Sequence, residues 1–258
     1  MEFDGDFRIR RDRETIVLEI KGVARFAISG GARIDTQIEP EADADVVHAY
    51  LLGMAFAFML SQRGWLVFHG AAAAIGPSGV AILGRRGAGK STLAAALLRA
   101  RHALLADDIL ALEPNGAGAF RIVPGYAQIK VPPNSAFLLE QASPCFERNI
   151  SPFGKTVARL NRGGKALPVP LVRAYILEQG EETSLEAIAP MDAAIELAPH
   201  WFPTQYGKDA ILALGPQRLL GECAALARTA RVRRLRRPMR FDSLEGAVAA
   251  IEHDLAIE

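Results

Sequence analysis

Polar and apolar residues alternate along the first forty positions, the pattern of strands buried on one face. Phe7 and Ile9, then Ile16, Leu18 and Ile20, supply the buried side. Ser29-Gly30-Gly31 is a hairpin signal between Phe26-Ala27-Ile28 and Ile34-Asp35-Thr36. The alternation then gives way to a helix, with Asp43 or Asp45 as its cap, running to about Gln62 and ended by Gly64. Its apolar content predicts burial on most sides, against the β unit on one flank and the rest of the protein on the other.

From Trp65 the texture changes. Trp65–Phe68 is an apolar strand closed by His69-Gly70, and Ala71–Ile75 and Val80–Leu83 flank the turn Gly76-Pro77-Ser78-Gly79 as a hairpin. A glycine-rich loop, a helix from about Lys90 to Arg101 and a short strand, Ala103–Ala106, follow. Ile109–Leu112 and Ala119–Val123 read as strands around Asn115-Gly116. Residues 124–170, rich in Pro and Gly, read as loops around one short helix, Ser135–Ala142. Beyond them the pattern predicts a strand at Leu171–Leu177, a short helix at Ala193–Ala198, and a longer helix over Asp209–Thr229 broken near Gly215-Pro216. A last strand at Val232–Leu235 and a helix over Ser243–Leu255, capped by Ser243, close the chain.

Composition narrows the class. Of 258 residues, 50% are hydrophobic and 23% charged, which supports a sizeable core and excludes a disordered or collagen-like chain. A net charge of +1 argues against a nucleic-acid partner held by overall charge. Cys145 and Cys223 lie far apart without Cys-x-x-Cys spacing, so neither a thiolate zinc site nor a disulfide framework is expected. The start Met1-Glu2-Phe3-Asp4 is acidic and lacks a signal-type apolar run. The most apolar stretch, Ala49 to Leu60, is about a dozen residues, nearer a buried helix than a bilayer span. The expectation is a soluble cytoplasmic protein with no membrane partner.

Gly84-Arg85-Arg86-Gly87-Ala88-Gly89-Lys90-Ser91 fits G-x-x-x-x-G-K-[ST] at every fixed position, between an apolar strand and an Ala/Leu-rich helix that continues through Thr92. Glycines let backbone N–H groups turn inward around phosphate oxygens, and the helix N-terminus adds positive potential. Lys90 reaches toward β- and γ-phosphates, and the Ser91 hydroxyl is a Mg²⁺ ligand in such loops. The reading is therefore α/β. Residues 1–64 form a small N-terminal β-rich unit with a helix, and residues 65–258 a P-loop domain with a mixed sheet.

Asp107 and Asp108 follow Leu104-Leu105-Ala106, 17 and 18 positions after Lys90. Adjacent carboxylates repel unless a cation or proton stands between them, which suits a site where Mg²⁺ shields one and a hydroxyl proton goes to the other. An exposed cap or turn is the plainer reading of such a pair, and proximity to the P-loop favours the chemical one. His69 ends a strand as well; alone it would be a core or turn residue. Residues 69, 84–91 and 107–108 all fall at strand ends, which in a sheet can converge on one edge.

Phe68-His69-Gly70, Gly84–Ser91 and Ala106-Asp107-Asp108 together resemble the catalytic domain of the HPr kinase/phosphorylase family, whose fold is similar to that of phosphoenolpyruvate carboxykinases. The resemblance is most specific over residues 65–113 and extends to about residue 180. It implies that Lys90 and the loop amides hold ATP, that Ser91 and Asp107 serve Mg²⁺, and that His69 lies beside the phosphates. One aspartate, with Asp108 favoured, would be general base on an acceptor serine. The bifunctional enzymes carry a Glu-x-Arg-Gly segment where this chain reads Pro124-Gly125-Tyr126-Ala127-Gln128-Ile129-Lys130, so the phosphorylase half-reaction is not implied. Over its whole length the chain is more similar to stand-alone HPr-kinase-like proteins of peptide natural-product clusters, lasso-peptide pathways included. That likeness implies phosphorylation of a precursor peptide, typically on a C-terminal serine, and allows a homo-oligomer. A carrier-protein kinase, a kinase of a small hydroxy-amino acid, and an ATP-binding docking module without catalysis stay open as alternatives.

Three weaker features have two readings each. The six arginines of Arg231–Arg240 form a docking edge for an acidic peptide or a phosphorylated product, or a solvated, charge-protected strand edge. Lys155 and Arg159 neutralise phosphate charge or lie on the surface. His200-Trp201-Phe202-Pro203 faces a substrate or packs a loop onto the core.

Overall fold

A computed structural model of the chain describes residues 6–116, 118–140, 147–160 and 167–257. Four strands, β1 (Phe7–Asp12), β2 (Thr15–Ile20), β3 (Ala24–Ser29) and β4 (Arg33–Ile38), form an antiparallel meander in sequence order. Next, Asp43 caps the helix by accepting from the Asp45 and Val46 amides. That helix is continuous but not uniform. It runs as α1 (Ala44–Tyr50), a π-helical segment Leu51–Ala55, and α2 (Phe56–Gln62). At 19 residues it is long and apolar enough to cross a membrane by length and composition, yet half of it is buried inside the protein.

The main sheet is built from β5 (Leu66–His69), β6 (Ala71–Ile75), β7 (Ser78–Gly84), β8 (Ala103–Ala106), β9 (Ile109–Pro114) and β10 (Phe120–Val123). The segment expected to be loop instead holds a second sheet, β11 (Gln128–Val131), β12 (Glu147–Ile150) and β13 (Thr156–Arg159), in the order β11-β13-β12. Four-residue strands between prolines and glycines leave too little alternation to register as strands. The predicted short helix there is reduced to a 3-10 turn, Pro133–Ser135, and Phe137–Glu140; its end at Ala142, like Cys145, lies outside the described residues.

The main sheet is completed by β14 (Val169–Gln179), β15 (Ser184–Ala187) and β16 (Arg231–Arg237), in the order β5-β9-β10-β14-β7-β6-β8 with β16 on β14 and β15 on β16. The glycine-rich loop leads from β7 into α3 (Lys90–Arg99). Phe137–Glu140 is α4, and the later helices are α5 (Pro190–Leu197), α6 (Gly207–Leu214), α7 (Pro216–Thr229) and α8 (Ser243–Ala256). Ser243 does not cap α8: its hydroxyl donates to the Pro238 and Arg240 carbonyls, and Asp242 holds the cap position without a side-chain bond.

Two apolar clusters sandwich this sheet. On one face Leu93–Leu97 of α3 pack with Ile82, Tyr175, Leu235 and Ile251. On the other, the meander's Leu18, Phe26 and Ile28, the helix residues Met54 and Phe58, and Trp201 and Phe202 share one core with Phe68, Leu110 and Ala174. The aromatic His200–Pro203 segment therefore packs inside, with Trp201 bridging Phe68 as an isolated β-bridge.

Direction within the sheet decides where the loops meet. Strand β6 runs antiparallel to both β7 and β8, so β7 and β8 end at the same edge. Strand β14 is parallel to β7, and β16 is parallel to β14, so β16 ends at that edge too. Ligands of α/β sheets characteristically bind at the carboxyl ends of such strands.

Candidate functional site

The loop after β7 is shaped by three glycines with positive φ: Gly84 (149°), Gly87 (82°) and Gly89 (88°). Gly89 has a second reason, since a Cβ there would collide with the Arg237 guanidinium. Lys90, the first residue of α3, folds back so that Nζ donates to Gly84 O (2.9 Å) and Arg85 O (3.2 Å). Burial lowers its pKa to about 8, against the opposing pull of Asp108 and Asp107. Arg85 and Arg86 are exposed on the loop, and Arg86, Gly87, Gly89, Lys90, Ser91 and Thr92 line a cavity of about 430 Å³.

Asp107 and Asp108 stand where the chain leaves β8 for β9. Ile109 N–H donates to Asp107 O at 2.9 Å, and Asp108 between them has φ +68°. That is a three-residue turn about a left-handed residue, a strained geometry that aspartate tolerates better than most side chains. The strain turns the two carboxylates apart. Asp107 Oδ1 accepts from Ser91 Oγ at 2.8 Å, and its Oδ2 accepts from the Lys130 amide at 2.7 Å. Asp108 instead faces cations: Lys130 Nζ is 3.2 Å from Oδ2 and Lys155 Nζ is 3.7 Å from Oδ1. Oδ2 is buried and makes no hydrogen bond of proper geometry.

The environments push the two acids in opposite directions. Burial, then the charge of Asp108, raises Asp107. Burial would raise Asp108 as well, but Lys130 and Lys155 overcome it and hold the carboxylate ionised below its ordinary range. His69 lies opposite this turn because β5 pairs with β9, His69 against Ile109. Its Nδ1–H donates to Asp108 O at 3.1 Å, and burial with Lys90 nearby lowers its pKa to about 3. The ring is therefore neutral, and it borders the smaller cavity.

The structure thus brings Lys90, Ser91, Asp107, Asp108 and His69 together, and it recruits further residues, of which the sequence had left Lys130 unmarked and given Lys155 and the arginine run two readings each. Lys130 is one; its signal was the alternation of Gln128-Ile129-Lys130-Val131, in which Ile129 and Val131 are buried in the core. Lys155 joins through its contact with Asp108, whereas Arg159 borders the neighbouring larger cavity.

Arg237 is another. Most of the arginine run pairs with the protein's own acids: Arg233 with Asp254, Arg234 with Glu178, Glu186 and Glu196, Arg236 with Glu178 and Glu186. That is the charge-laced edge rather than a free docking surface. Arg237 is 3% exposed and has no carboxylate partner among the described residues; its Nη1 reaches only the Pro238 carbonyl, the Arg240 carbonyl and Ser243 Oγ, and its Nε has no partner. A buried cation without a counter-charge is costly unless an anion arrives to meet it. At the carboxyl end of β16, beside Gly89, that anion would be a phosphate. Arg237→Ala is expected to raise the ATP KM about tenfold or more, since a charge-assisted hydrogen bond is worth about 1.5–3 kcal/mol. Steady-state kinetics with varied ATP would read this, and an unchanged KM would leave Arg237 a structural residue.

Ser91 Oγ and the Asp107 carboxylate are hard oxygen donors already in contact beside the glycine-rich loop, a set that fits Mg²⁺.

No family model matches this sequence, and no curated protein matches it. Among solved structures, the chain is similar to the HPr(Ser) kinase/phosphatase from Coxiella burnetii, at 14% identity and a TM-score of 0.38, over 74% of this chain and 97% of that one. A likeness of that depth carries no argument about activity, which must come from the chain's own site.

Proposed function

We propose that this protein is a Mg²⁺- and ATP-dependent kinase that transfers the γ-phosphoryl group to a serine hydroxyl of a peptide or small protein. The observation that carries it is the division of labour between neighbouring carboxylates. Asp107 is tied to Ser91 on the nucleotide side, while Asp108 is buried and ionised beside Lys130 and Lys155, its Oδ2 making no hydrogen bond of proper geometry. A module that only sensed nucleotide would need no general base beside that site.

In this reading the amides of Gly84–Ser91 and the α3 N-terminus hold the phosphates, and Lys90 and Arg237 offset their charge. Mg²⁺ held by Ser91 and Asp107 would supply charge neutralisation on the transferring group. The acceptor serine O–H gives its proton to Asp108 Oδ2 as its oxygen forms the new O–P bond. The bond between the γ-phosphorus and the β–γ bridging oxygen breaks, and ADP leaves with that electron pair. His69 is a positioning residue that pins the Asp108 backbone through its carbonyl. Sequence resemblance to HPr-kinase-like proteins of lasso-peptide clusters supports a precursor peptide, with a C-terminal serine, as the acceptor.

The test is transfer of labelled γ-phosphate from Mg·ATP to a peptide ending in serine, a carrier protein, free serine, and water. Labelling of the peptide is expected, with loss of transfer on chelation of the metal. ATP binding with no transfer to any acceptor would instead support a nucleotide-dependent binding module.

A further inference from the structure

Asp108 borders two cavities. One is the 430 Å³ space around the glycine-rich loop; the other, on its far side, measures about 880 Å³ and also reaches Asp107. Building on the kinase reading above, we infer that the larger cavity is the acceptor site, and that it selects a peptide whose serine is flanked by bulky apolar side chains.

The cavity wall explains a feature of the long helix that the core leaves unaccounted for. Val47, Tyr50, Met54, Ala57 and Phe58 are buried against the protein. A second stripe, Asp45, His48, Leu52, Phe56 and Leu60, recurs at helical spacing and lines the cavity. Within it the π segment places Leu52 and Gly53 side by side in the wall, and π-helical turns in helices are frequent at functional sites. The second stripe is polar at Asp45 and His48 and apolar at Leu52, Phe56 and Leu60, which the protein covers only in part.

The facing walls add further apolar and aromatic side chains, with Gln128, Lys130 and Arg159 among them. Trp65 and Tyr126 contribute from the main-sheet side, Ile150 from the end of β12, and Phe153 from the β12–β13 connection. Phe153 is seated on the helix by an edge-on contact with Tyr50, ring centroids 6.4 Å apart. The rim is apolar too: Leu52 is 37% exposed, Tyr126 51% and Ile150 81%. Apolar surface of this kind beside the Asp108 carboxylate favours an occupant that brings its own apolar surface and one hydroxyl.

Size selects a peptide over a free amino acid. Sites of about 300–1,000 Å³ hold drug-sized ligands, and a lone serine would leave the apolar walls facing water. A peptide entering over Leu52, Tyr126 and Ile150 would lay apolar side chains against Phe56, Trp65 and Phe153, with its serine hydroxyl at Asp108. Leu52, Phe56 and Leu60 of this wall belong to the N-terminal segment, whereas Trp65, Tyr126 and Phe153 come from the part of the chain that carries the glycine-rich loop.

The experiment compares peptides identical except beside the serine, with Leu or Phe, Ala, or Lys there, alongside free serine. Phosphate transfer gives the kinetics, and fluorescence anisotropy of labelled peptide gives binding without turnover. Leu or Phe is expected to improve peptide KM and affinity about tenfold over Ala, with Lys poorest. Leu52→Glu and Tyr126→Ala, both at exposed positions the fold tolerates, are expected to weaken peptide binding about tenfold while ATP affinity stays within about twofold. Equal kcat/KM for all flanks, a preference for free serine, or wild-type peptide binding in both variants would overturn the inference and leave the kinase reading standing. Peptide binding that follows this pattern with no transfer would uphold the cavity as a peptide site and overturn the kinase reading. Neither binding nor transfer would overturn both.

Discussion

Replacing Asp108 by asparagine is expected to lower kcat by about 10²–10⁴-fold, the usual contribution of a positioned general base, with ATP affinity unchanged or slightly improved. The substitution keeps the shape of the side chain, and asparagine tolerates the φ of +68° as aspartate does, so the turn over Asp107–Ile109 survives. What it removes is a full charge. Lys130 and Lys155 then lack their carboxylate partner and lean toward incoming phosphate, which opposes any loss of nucleotide binding. Kinetics with ATP and acceptor varied separately, beside an ATP titration, would read the two effects apart. Equal loss of ATP binding and turnover would instead assign Asp108 to the nucleotide and its metal.

Lys90→Ala is expected to act on both quantities at once, lowering kcat/KM for ATP by about 10²–10⁴-fold through a weaker KM and a slower kcat. Two charge-assisted hydrogen bonds at about 1.5–3 kcal/mol each set that scale. Nζ is buried and held by Gly84 O and Arg85 O, so nucleotide binding exchanges two carbonyl partners for phosphate oxygens that carry full charge. Losing those two bonds costs the empty loop about 1–3 kcal/mol, so a melting curve belongs beside the kinetics. A folded Lys90→Ala protein with wild-type ATP affinity would remove the loop from the nucleotide site.

The contrast between these variants follows from features with different visibility in the sequence. Gly84 to Ser91 could be read directly because every element of that chemistry is local. Its glycines set the backbone, Lys90 begins the helix, and the Ala/Leu run behind it packs on the sheet. The β1–β4 meander was legible for the same reason, its alternation being a period-two pattern that only a half-buried strand satisfies. The Asp43 cap was likewise local. By contrast, β11–β13 escaped, because four-residue strands among prolines and glycines carry hardly one period of signal. The cap on α8 was misassigned because a serine at a helix start has several carbonyls within reach, and Ser243 bonds those of Pro238 and Arg240.

The sequence by itself determined the chemical vocabulary: a glycine-rich strand-to-helix loop with Lys90 and Ser91, two adjacent carboxylates at a strand end, and a histidine closing another. Tertiary structure alone decided their grammar. The parallel pairing of β16 on β14 and β14 on β7 carries Arg237 to Gly89 across almost 150 positions of chain. The bond from the Lys130 amide of β11 to the Asp107 carboxylate brings Lys130 to Asp108, and the sharp turn at Asp108 separates its carboxylate from that of Asp107. The same long-range packing left one face of the Ala44–Gln62 helix against the core and the other against a cavity. Turn chemistry and periodicity act between neighbours and are written in order along the chain. Strand order, and the choice of which apolar face to cover, depend on contacts between distant segments, whose free energy no local pattern records.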